Sequence, residues 1–336
     1  MAVTIRHVAQ EAGVSVSTVS RALNGGVVGT ATADRVRAAA DRMGYVPNAT
    51  ARQLVRSRTD AVGVVLPFLT GEFYPEVVRG LDRAIQATGR HLVLSTSHNA
   101  VEDTATILRT MHGLVDGLVV MTPAVPPADV ARALVPGLPV VLLNAPPEGH
   151  ALDVLSTDGA GGARRAVEHL ADLGHTRIAT IAGEAGNHDA ERRLGAWRDV
   201  LAERGLDAPE AWVLRGDFSQ EAGVAAGRAL LDLVGRPDGP TAVFAASDYM
   251  AMGAMQVLAG AGLQIPGDVS VVGFDDVPSA SYIYPPLTTV RAGSVDLGAR
   301  AAAWLVDRLD GGAEAPPRRE VLPASLVVRA TTAPPR

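Results

Sequence analysis

The chain has 336 residues, which is too long for one typical domain and fits two or three. It contains no cysteine, which excludes disulfides and thiolate chemistry, and no apolar run approaches the ~18 residues that span a bilayer. The formal net charge is −6, yet residues 1–59 carry eight arginines against three acidic residues, a net charge of +5. A basic segment on an acidic remainder indicates local contact with phosphates. Since polar residues interrupt the amino terminus and no secretion signal is visible, we expect a cytoplasmic protein without membrane contact.

Residues 5–24 have the pattern of two short helices joined by a tight turn. Ile5, Val8 and Ala9 recur at helical spacing, Gly13 interrupts the pattern, and Ser15 can cap a second helix. A turn of roughly three to four residues that contains Gly between two such helices is the helix-turn-helix signature. The second helix has the right size for a DNA major groove, so we expect a sequence-specific DNA-binding protein.

A third amphipathic helix is predicted to follow, with Val36, Ala39 and Met43 on one face. We therefore expect an all-α helix-turn-helix DNA-binding domain over residues 1–47. Residues 48–60 contain helix-forming residues but little apolar face, and we interpret them as a linker that folds on contact with a partner. The three arginines in this linker indicate that the partner is anionic.

From residue 61 the chain alternates between apolar strands and amphipathic helices, which indicates an α/β body with parallel sheets covered by helices. The predicted strands fall into two series, followed by one more strand, a helix and two terminal strands. They comprise residues 61–66, 91–95, 117–121 and 140–143, then 177–182, 213–215, 242–245 and 269–274, then 288–290, the helix 295–309, and strands near 321 and 326–328. Two such series predict two doubly wound parallel-sheet lobes within residues 61–336.

We expect the first lobe, the N-lobe, to combine residues 61–157 with 288–319. The second, the C-lobe, is expected to combine residues 158–287 with 320–330. Ligands of doubly wound sheets bind beyond the carboxyl ends of the strands. A ligand is therefore expected in a cleft between the lobes, against residues that directly follow the strands.

Several strings of the sequence resemble the LacI family of bacterial transcription regulators, the lactose-repressor type. They cover essentially the whole chain and read VAQEAGVSVSTVSRALN, TADRVRAAADRMGYVPNATARQL, AVGVVLP, GLVDGLVVM, HLADLGHTRIATIAG, ASDYMAMGAM, DVSVVGFDD and PPLTTVR. The resemblance implies a helix-turn-helix head, a hinge helix, and two lobes of the periplasmic-binding-protein type that bind a small effector and dimerise. It implies a homodimer on double-stranded, pseudo-palindromic operator DNA, and no cofactor.

In this family the second helix of the head enters the major groove. Carried over by position, Val16, Ser17 and Arg21 face base edges, and the polar side chains that help to hold phosphates are Thr4, Ser15, Thr18, Ser20 and Asn24. An arginine that binds guanine in a bidentate manner discriminates by ~1–3 kcal/mol. Ser17 and Thr18 could instead be plain exposed helix, and Arg21 could contact phosphate without reading sequence.

The family's linker becomes a hinge helix on operator DNA. Leu54 falls at the position that wedges between base pairs of the minor groove and bends the duplex. Tyr45, Asn48 and Ala51 fit the supporting pattern. Leu54 could instead pack on the body.

The body of the family binds a small effector between its lobes. The positions carried over suit a polyhydroxylated ring such as a sugar and are Phe73, Asn144, Asp189, Arg193, Phe218, Asp248 and Asp275. Arg192 is the alternative to Arg193, Asp248 could instead cap the helix that follows it, and Phe73 could be simple core. Residues 70–72, Thr-Gly-Glu, depart from the usual Asn-Pro pair of the family.

An enzyme is not expected, since a Gly-rich stretch at residues 159–162 lacks the spacing and the Lys of a phosphate-binding loop. No Gly-x-Ser-x-Gly motif occurs, and the eight histidines have no metal-ligand spacing. A periplasmic solute-binding protein would share the two-lobed body, but the basic head argues against it. We therefore predict a repressor whose operator affinity is switched by a carbohydrate effector, with dimer contacts near residues 74–87 and 101–112.

Overall fold

The computed structural model describes residues 3–24, 26–45, 58–98, 100–312 and 315–336. The chain divides into two units, Met1–Thr59 and Asp60–Arg336. The predicted hinge positions Asn48, Ala51 and Leu54 lie outside the described residues. In the part that is described, no helix is long and apolar enough to cross a membrane.

The head contains three helices, α1 (Ile5–Ala12), α2 (Val16–Leu23) and α3 (Thr30–Arg42). Gly13 has a φ of +64°, a left-handed conformation that glycine adopts without steric cost, and it turns the chain between α1 and α2. The Ser15 hydroxyl accepts a hydrogen bond from the Thr18 amide at 3.1 Å and caps α2 as predicted. Val8, Val19 and Val36 are fully buried where the three helices meet. The predicted small helical head is confirmed.

The N-lobe is a six-stranded sheet covered by helices on both faces. Its strands are β1 (Ala61–Leu66), β2 (His91–Thr96), β3 (Gly117–Val120), β4 (Val140–Leu143), β5 (Asp153–Thr157) and β11 (Arg319–Leu322), in the spatial order β11-β5-β4-β3-β1-β2, all parallel. Its helices are α4 (Phe73–Gln86), α5 (Val101–Met111), α6 (Pro127–Ala133) and α11 (Ser294–Asp307). The apolar sides of α4 and α11 cover one face of the sheet, and those of α5 and α6 cover the other.

The C-lobe repeats this architecture. Its strands are β6 (Ile178–Ala182), β7 (Val213–Arg215), β8 (Ala242–Ala245), β9 (Ser270–Asp275), β10 (Thr288–Arg291) and β12 (Ser325–Val327), in the order β12-β10-β9-β8-β6-β7 with β12 antiparallel. Helices α7 (Gly159–Asp172) and α8 (His188–Glu203) pack on one face, and α9 (Gln220–Val234) and α10 (Asp248–Gly260) pack on the other. The predicted class, a helical head and two parallel α/β lobes, is confirmed.

Two predictions about the sheets are wrong. The strand β5 is not among the predicted strands, although it lies inside the N-lobe sheet between β4 and β11. The strand β10 pairs with β9 and β12, so residues 288–291 belong to the C-lobe, and β11 pairs with β5, so residues 319–322 belong to the N-lobe. Local sequence does not encode these pairings, because each partner of β10 and β11 is chosen by contacts between distant segments.

Candidate functional site

A cavity of about 530 Å³ lies between the two lobes, where the carboxyl ends of both sets of parallel strands meet. The N-lobe contributes residues that follow β1 and β3, and the C-lobe contributes residues at or after the ends of β6, β7, β8 and β9. The lining residues are Phe68, Thr70, Gly71, Glu72, Phe73, Tyr74, Met121, Pro123, Glu184, Asn187, Asp189, Arg193, Asp217, Phe218, Ser219, Gln220, Glu221, Ser247, Tyr249 and Asp275. Five of the seven predicted effector residues lie on this cavity.

Arg193 lies in the second turn of α8, and its side chain is 5% exposed. Its guanidinium carbon lies 3.7 Å from the ring centroid of Phe274, and its Nη1 atom donates a hydrogen bond to the Ala246 carbonyl at 2.5 Å. The same Nη1 atom is 3.7 Å from the Asp275 carboxylate. Arg192 is exposed and does not line the cavity, so the structure favours Arg193 over its neighbour.

Asp189 and Asp275 are the two carboxyl groups at the inner end of the cavity. Burial raises the pKa of Asp275 to about 7, an effect that the Arg193 guanidinium opposes and that the charge of Asp189 adds to. Burial also raises the pKa of Asp189, again opposed by Arg193. The pKa of Tyr74 is raised by burial and by both carboxylates. The three carboxyl and phenol groups therefore share one electrostatic environment around a single guanidinium.

The backbone is strained at the cavity. Phe218 and Asp275 have φ values of +69° and +113°, which residues with a side chain adopt rarely. Gly183 makes the position of Phe218 possible, because a Cβ atom there would lie 2.3 Å from the Phe218 ring. Asn187 caps the start of α8, and its side-chain oxygen accepts hydrogen bonds from the amides of Asp189 and Ala190 at 3.0 and 3.1 Å. Local structure thus fixes the positions of Asp189 and Phe218.

Asp248 was predicted to bind effector, but it is not among the described residues that line the cavity. Its side chain is fully buried, where one carboxylate oxygen accepts a hydrogen bond from the Thr289 hydroxyl at 2.5 Å and the other from the Val277 amide at 2.9 Å. The alternative that Asp248 caps the following helix is wrong, since Ser247 is the cap and accepts a hydrogen bond from the Met250 amide. Asp248 instead ties the start of α10 to the segments around β9 and β10.

Asn144, which was predicted to contact the effector, does not line the cavity either. It is buried, is not among the residues that line the cavity, and accepts a hydrogen bond from the Thr157 amide at 2.9 Å. Its side-chain nitrogen is buried and has no hydrogen-bond partner among the described residues. Phe73 does line the cavity, and it also packs against the cores of both lobes and edge-on against Tyr74. Its two predicted roles are therefore compatible.

The residues 70–72 that depart from the family pattern make contacts from the N-lobe to the C-lobe. The Glu72 carboxylate accepts hydrogen bonds from both the amide and the hydroxyl of Ser279, each at 2.9 Å. A Cβ atom on Gly71 would lie 3.4 Å from the Tyr249 ring, so this loop lies close against that ring. We name the Glu72–Ser279 contact the clasp. Sequence alone did not indicate it, because its partners are 207 residues apart.

Among the predicted DNA-contacting residues of the head, Thr4, Ser15, Val16, Ser17 and Arg21 are exposed. Thr18, Ser20 and Asn24 are half-buried, as is Tyr45, which packs against the helical core. The Ser15 hydroxyl lies 2.8 Å from those of Ser17 and Thr18, and the Arg21 Nε donates weakly to the Ser17 carbonyl at 3.4 Å. The exposed side of α2 thus presents hydroxyl groups, an apolar valine and one arginine.

In the described part of the chain, no group of three or more His, Asp or Glu side chains is arranged so that it could hold a metal ion. The titratable cluster of the cavity consists of the carboxyl groups of Asp189 and Asp275 around Arg193, which suits hydrogen bonding to a polar organic ligand.

Comparison with known families identifies both parts of the chain. Residues 4–48 match the description "Bacterial regulatory proteins, lacI family", and residues 167–332 match "Periplasmic binding protein-like domain". The HTH-type transcriptional regulator CelR of Thermobifida fusca is 37% identical, and the alignment covers 97% of both chains. The chain is therefore a DNA-binding transcriptional regulator with an effector domain like the periplasmic binding proteins, and not an enzyme. It belongs to the LacI family.

Solved structures of relatives agree with this assignment. A structure of the lac repressor dimer bound to operator and the anti-inducer ONPF superposes with a TM-score of 0.86 at 30% identity, over 99% of this chain and 100% of that one. A complex of the transcriptional regulator CelR with cellobiose has a TM-score of 0.72 at 35% identity, over 98% of this chain and 100% of that one. The match over residues 4–48 leaves the solute-binding alternative without support, because that alternative has no DNA-binding head.

Proposed function

We propose that this regulator is a repressor that binds a pseudo-palindromic operator as a homodimer and releases it when a carbohydrate occupies the cavity between the lobes. The observation that carries the proposal is the grouping of Arg193, Asp189 and Asp275 in one inter-lobe cavity with aromatic walls. Hydroxyl groups of a sugar ring pair with carboxylate and guanidinium groups, and the ring itself stacks on aromatic side chains. The CelR relative whose structure contains cellobiose supports the same ligand class.

For DNA binding we propose that residues 1–47 form the DNA-binding domain and residues 48–60 the hinge. Val16, Ser17 and Arg21 would read base edges, and Thr4, Ser15, Thr18, Ser20 and Asn24 would hold phosphates. Exposure of Arg21 and Val16 on α2 supports this assignment. The roles of Tyr45, Asn48, Ala51 and Leu54 at the hinge rest on the family resemblance.

The homodimer is proposed to form through the body, residues 61–336. Exposed apolar side chains support a face on the C-lobe, where Tyr282 and Tyr284 are 85% and 96% exposed beside Met252 and Ile283. The edge strand β2 and the start of α5 expose further apolar side chains on the N-lobe. Helix α4 remains a candidate only through its exposed side, which includes Arg79 and Arg83. A Cβ atom on its Gly80 would lie 2.0 Å from the Val295 carbonyl, so this side of α4 is taken up by α11.

The switch requires that the effector favours one arrangement of the lobes over another. Only such differential affinity changes DNA binding, and couplings of about 1–3 kcal/mol are typical. A ligand in the cavity touches both lobes, so it stabilises the arrangement in which both contact it. The proposed consequence is a shift of the two N-lobes of the dimer that separates the hinge segments and withdraws Leu54 from the operator.

The experiment that tests this proposal combines operator selection with a sugar panel. DNA fragments that the full chain binds tightly are selected and footprinted, and neutral sugars are then added at saturating concentration. We expect a pseudo-palindromic footprint that one class of sugars weakens. An asymmetric footprint would contradict the homodimer, and a complex that no sugar weakens would contradict the switch.

Arg21→Ala tests base readout in the same assay. We expect a loss of about 1–3 kcal/mol on the operator and a smaller loss on random DNA, because a bidentate base contact exists only on the operator. Arg37→Ala is the matched control, since Arg37 is an exposed head arginine paired with Asp34. If Arg21→Ala weakens operator and random DNA equally, Arg21 contacts phosphate and does not read sequence.

A further inference from the structure

The charged side chains that line the cavity are predominantly acidic. Among the described residues, the acids that line it are Glu72, Glu184, Asp189, Asp217, Glu221 and Asp275, and the only cation is Arg193. No histidine is among the described residues that line it. His188 and Arg192 act on Asp189 from nearby, but neither lines the cavity. A ligand that enters therefore meets a field set by carboxylates.

The inner end of the cavity is suited to a ligand that both donates and accepts hydrogen bonds. The Nε atom of Arg193 has no hydrogen-bond partner among the described residues, but it is closed off from solvent and lies near Gly159, which does not line the cavity. The donor that lines the cavity is the remainder of the Arg193 guanidinium. Asp189 and Asp275 offer acceptor oxygens beside it, and the Asp275 oxygen is too far from the guanidinium, at 3.7 Å, to be satisfied by it. A hydroxyl group donates and accepts, whereas a phosphate dianion only accepts and an ammonium only donates. The inner end therefore matches hydroxyl groups and neither kind of ion.

The mouth of the cavity carries three exposed acids, Glu184, Asp217 and Glu221, all on the C-lobe. None of the three forms an ion pair with another residue that the structure describes. Hydrogen bonds from Ser219 lower the pKa of Asp217, which keeps that carboxyl group charged. Unpaired carboxylates at the mouth repel an anionic ligand as it approaches.

We propose that the cavity selects an uncharged carbohydrate and excludes phosphorylated and acidic sugars, with Glu184, Asp217 and Glu221 as the residues that exclude anions at the mouth. This inference rests on the proposed function, because it takes a carbohydrate effector as given. The inner cluster supplies the hydroxyl recognition, and the acids of the mouth supply the charge discrimination.

The test is isothermal titration calorimetry of the full chain against matched sugar pairs. The probes are neutral pentoses, hexoses and disaccharides, each with its phosphate ester, cellobionate as the acid counterpart of cellobiose, and glucosamine as a cation. We expect the neutral member of a binding pair to bind at least about tenfold more tightly than the anion at low salt, since several like charges across a hydrated mouth add up. The gap should narrow at high ionic strength, where exposed charges are screened.

Neutralising the mouth isolates its contribution. The triple variant Glu184→Gln/Asp217→Asn/Glu221→Gln should bring the ratio of neutral to anionic affinity toward unity, with the larger change in the affinity for the anion. The matched control Asp199→Asn/Asp232→Asn/Asp238→Asn removes the same charge from exposed C-lobe positions that do not line the cavity, and it should leave the ratio unchanged. An unchanged ratio in the first variant would overturn the role of the three acids.

The remaining outcomes separate this inference from the function on which it rests. Tighter binding of a phosphate ester, of cellobionate or of glucosamine would overturn the selection of an uncharged ligand and leave the carbohydrate switch standing. Failure of every sugar in the panel to bind would instead remove the carbohydrate effector, and this inference with it.

Discussion

The two lobes have the same architecture but contribute different chemistry to the cavity between them. The N-lobe supplies aromatic and apolar side chains, among them Phe68, Phe73, Tyr74 and Met121, with Glu72 as its one carboxylate. The C-lobe supplies the arginine and the other five carboxylates, together with the rings of Phe218 and Tyr249. Strand topology therefore determines where the cavity lies, and the loops after the strands determine what each wall can recognise.

This difference suggests a division of labour between the walls. Hydrogen bonds are directional, so the C-lobe wall is suited to fix the orientation of a ligand. Its groups are held in place by the Asn187 cap, by the packing of Arg193 on Phe274 and by the unusual backbone at Asp275. Aromatic contact tolerates small displacements, so the N-lobe wall is suited to close over a ligand that is already oriented.

The largest effect is expected from Arg193→Met, which removes the one cation found among the described residues of the C-lobe wall. Hydrogen bonds to charged groups contribute about 1.5–3 kcal/mol, so effector affinity should fall by about one to two orders of magnitude. The fold should survive, because the pKa of Asp275 is already about 7 and rises further without Arg193, which leaves that carboxyl group neutral. Titration with a sugar that binds the wild type, together with circular dichroism, measures both quantities.

Phe68→Leu is the matched variant on the N-lobe wall. Phe68 is 38% exposed and contacts the His98 ring, so the change removes a stacking surface without emptying the core. We expect a loss of about 1 kcal/mol, roughly fivefold in affinity, with the preference among sugars retained. If the two variants lower affinity equally, or if Phe68→Leu changes the preference, the division of labour between the walls is wrong.

A smaller effect is expected in the pH dependence of stability, and it arises from Asp275 on the C-lobe wall. Its folded pKa of about 7 lies above its ordinary value of 3.8, so the folded state binds the proton more tightly than the unfolded chain. The stabilisation from this group is complete below pH ~4 and is lost as the pH rises through about 7. Wild type should therefore lose more stability than Asp275→Asn between pH 5 and 8, as measured by denaturant unfolding.

Asp217→Asn provides the control for this pH effect. Asp217 is a carboxyl group of the same cavity, but hydrogen bonds from Ser219 lower its pKa. Its stabilisation is present above its ordinary pKa and is lost only as the pH falls through the lowered value, so it does not change between pH 5 and 8. If the two variants have the same stability profile over that range, Asp275 titrates like an exposed carboxyl group.

The lobes also show which features of this protein follow from sequence. Helix α2 begins directly after Ser15, the predicted cap, because capping and apolar spacing are local signals. Strand β5 was missed because it begins with a polar residue, Asp153, whose carboxylate is neutralised by Arg308 from 155 residues away. No local pattern reports such a partner.

The side chains of the candidate site are also only partly predictable from local sequence. The cavity is lined by residues at or after the ends of the strands, because the topology of parallel sheets brings these segments to one edge. Which side chain of a loop faces the cavity depends on a shift of one residue, and Ser247 and Tyr249 line the cavity while Asp248 between them is buried against Thr289. The choice between Arg192 and Arg193 depends in the same way on how α8 is rotated against the sheet.

The smallest effect concerns the clasp, where the two lobes meet directly. Glu72→Ala removes both hydrogen bonds to Ser279, whereas Ser279→Ala removes only the one from its hydroxyl and leaves the one from its amide. Each bond is expected to contribute about 0.5–1.5 kcal/mol to the free energy of unfolding. Once Glu72 is replaced by Ala, the Ser279 hydroxyl no longer has its acceptor. Ser279→Ala should therefore lower the free energy of unfolding by about 1 kcal/mol in the wild type and by close to nothing in the Glu72→Ala background.

Ser281→Ala is the control for the clasp, because the Ser281 hydroxyl donates only to the Pro278 carbonyl within its own loop. Its effect should be the same with and without Glu72. Additive effects of Glu72→Ala and Ser279→Ala would show that the clasp does not hold the lobes together in solution. Effector affinity should also be measured for the same variants, because a ligand that contacts both walls is sensitive to the relative position of the lobes. If Glu72→Ala and Ser279→Ala are non-additive in unfolding but leave effector affinity unchanged, the clasp stabilises the body without setting the arrangement of its lobes.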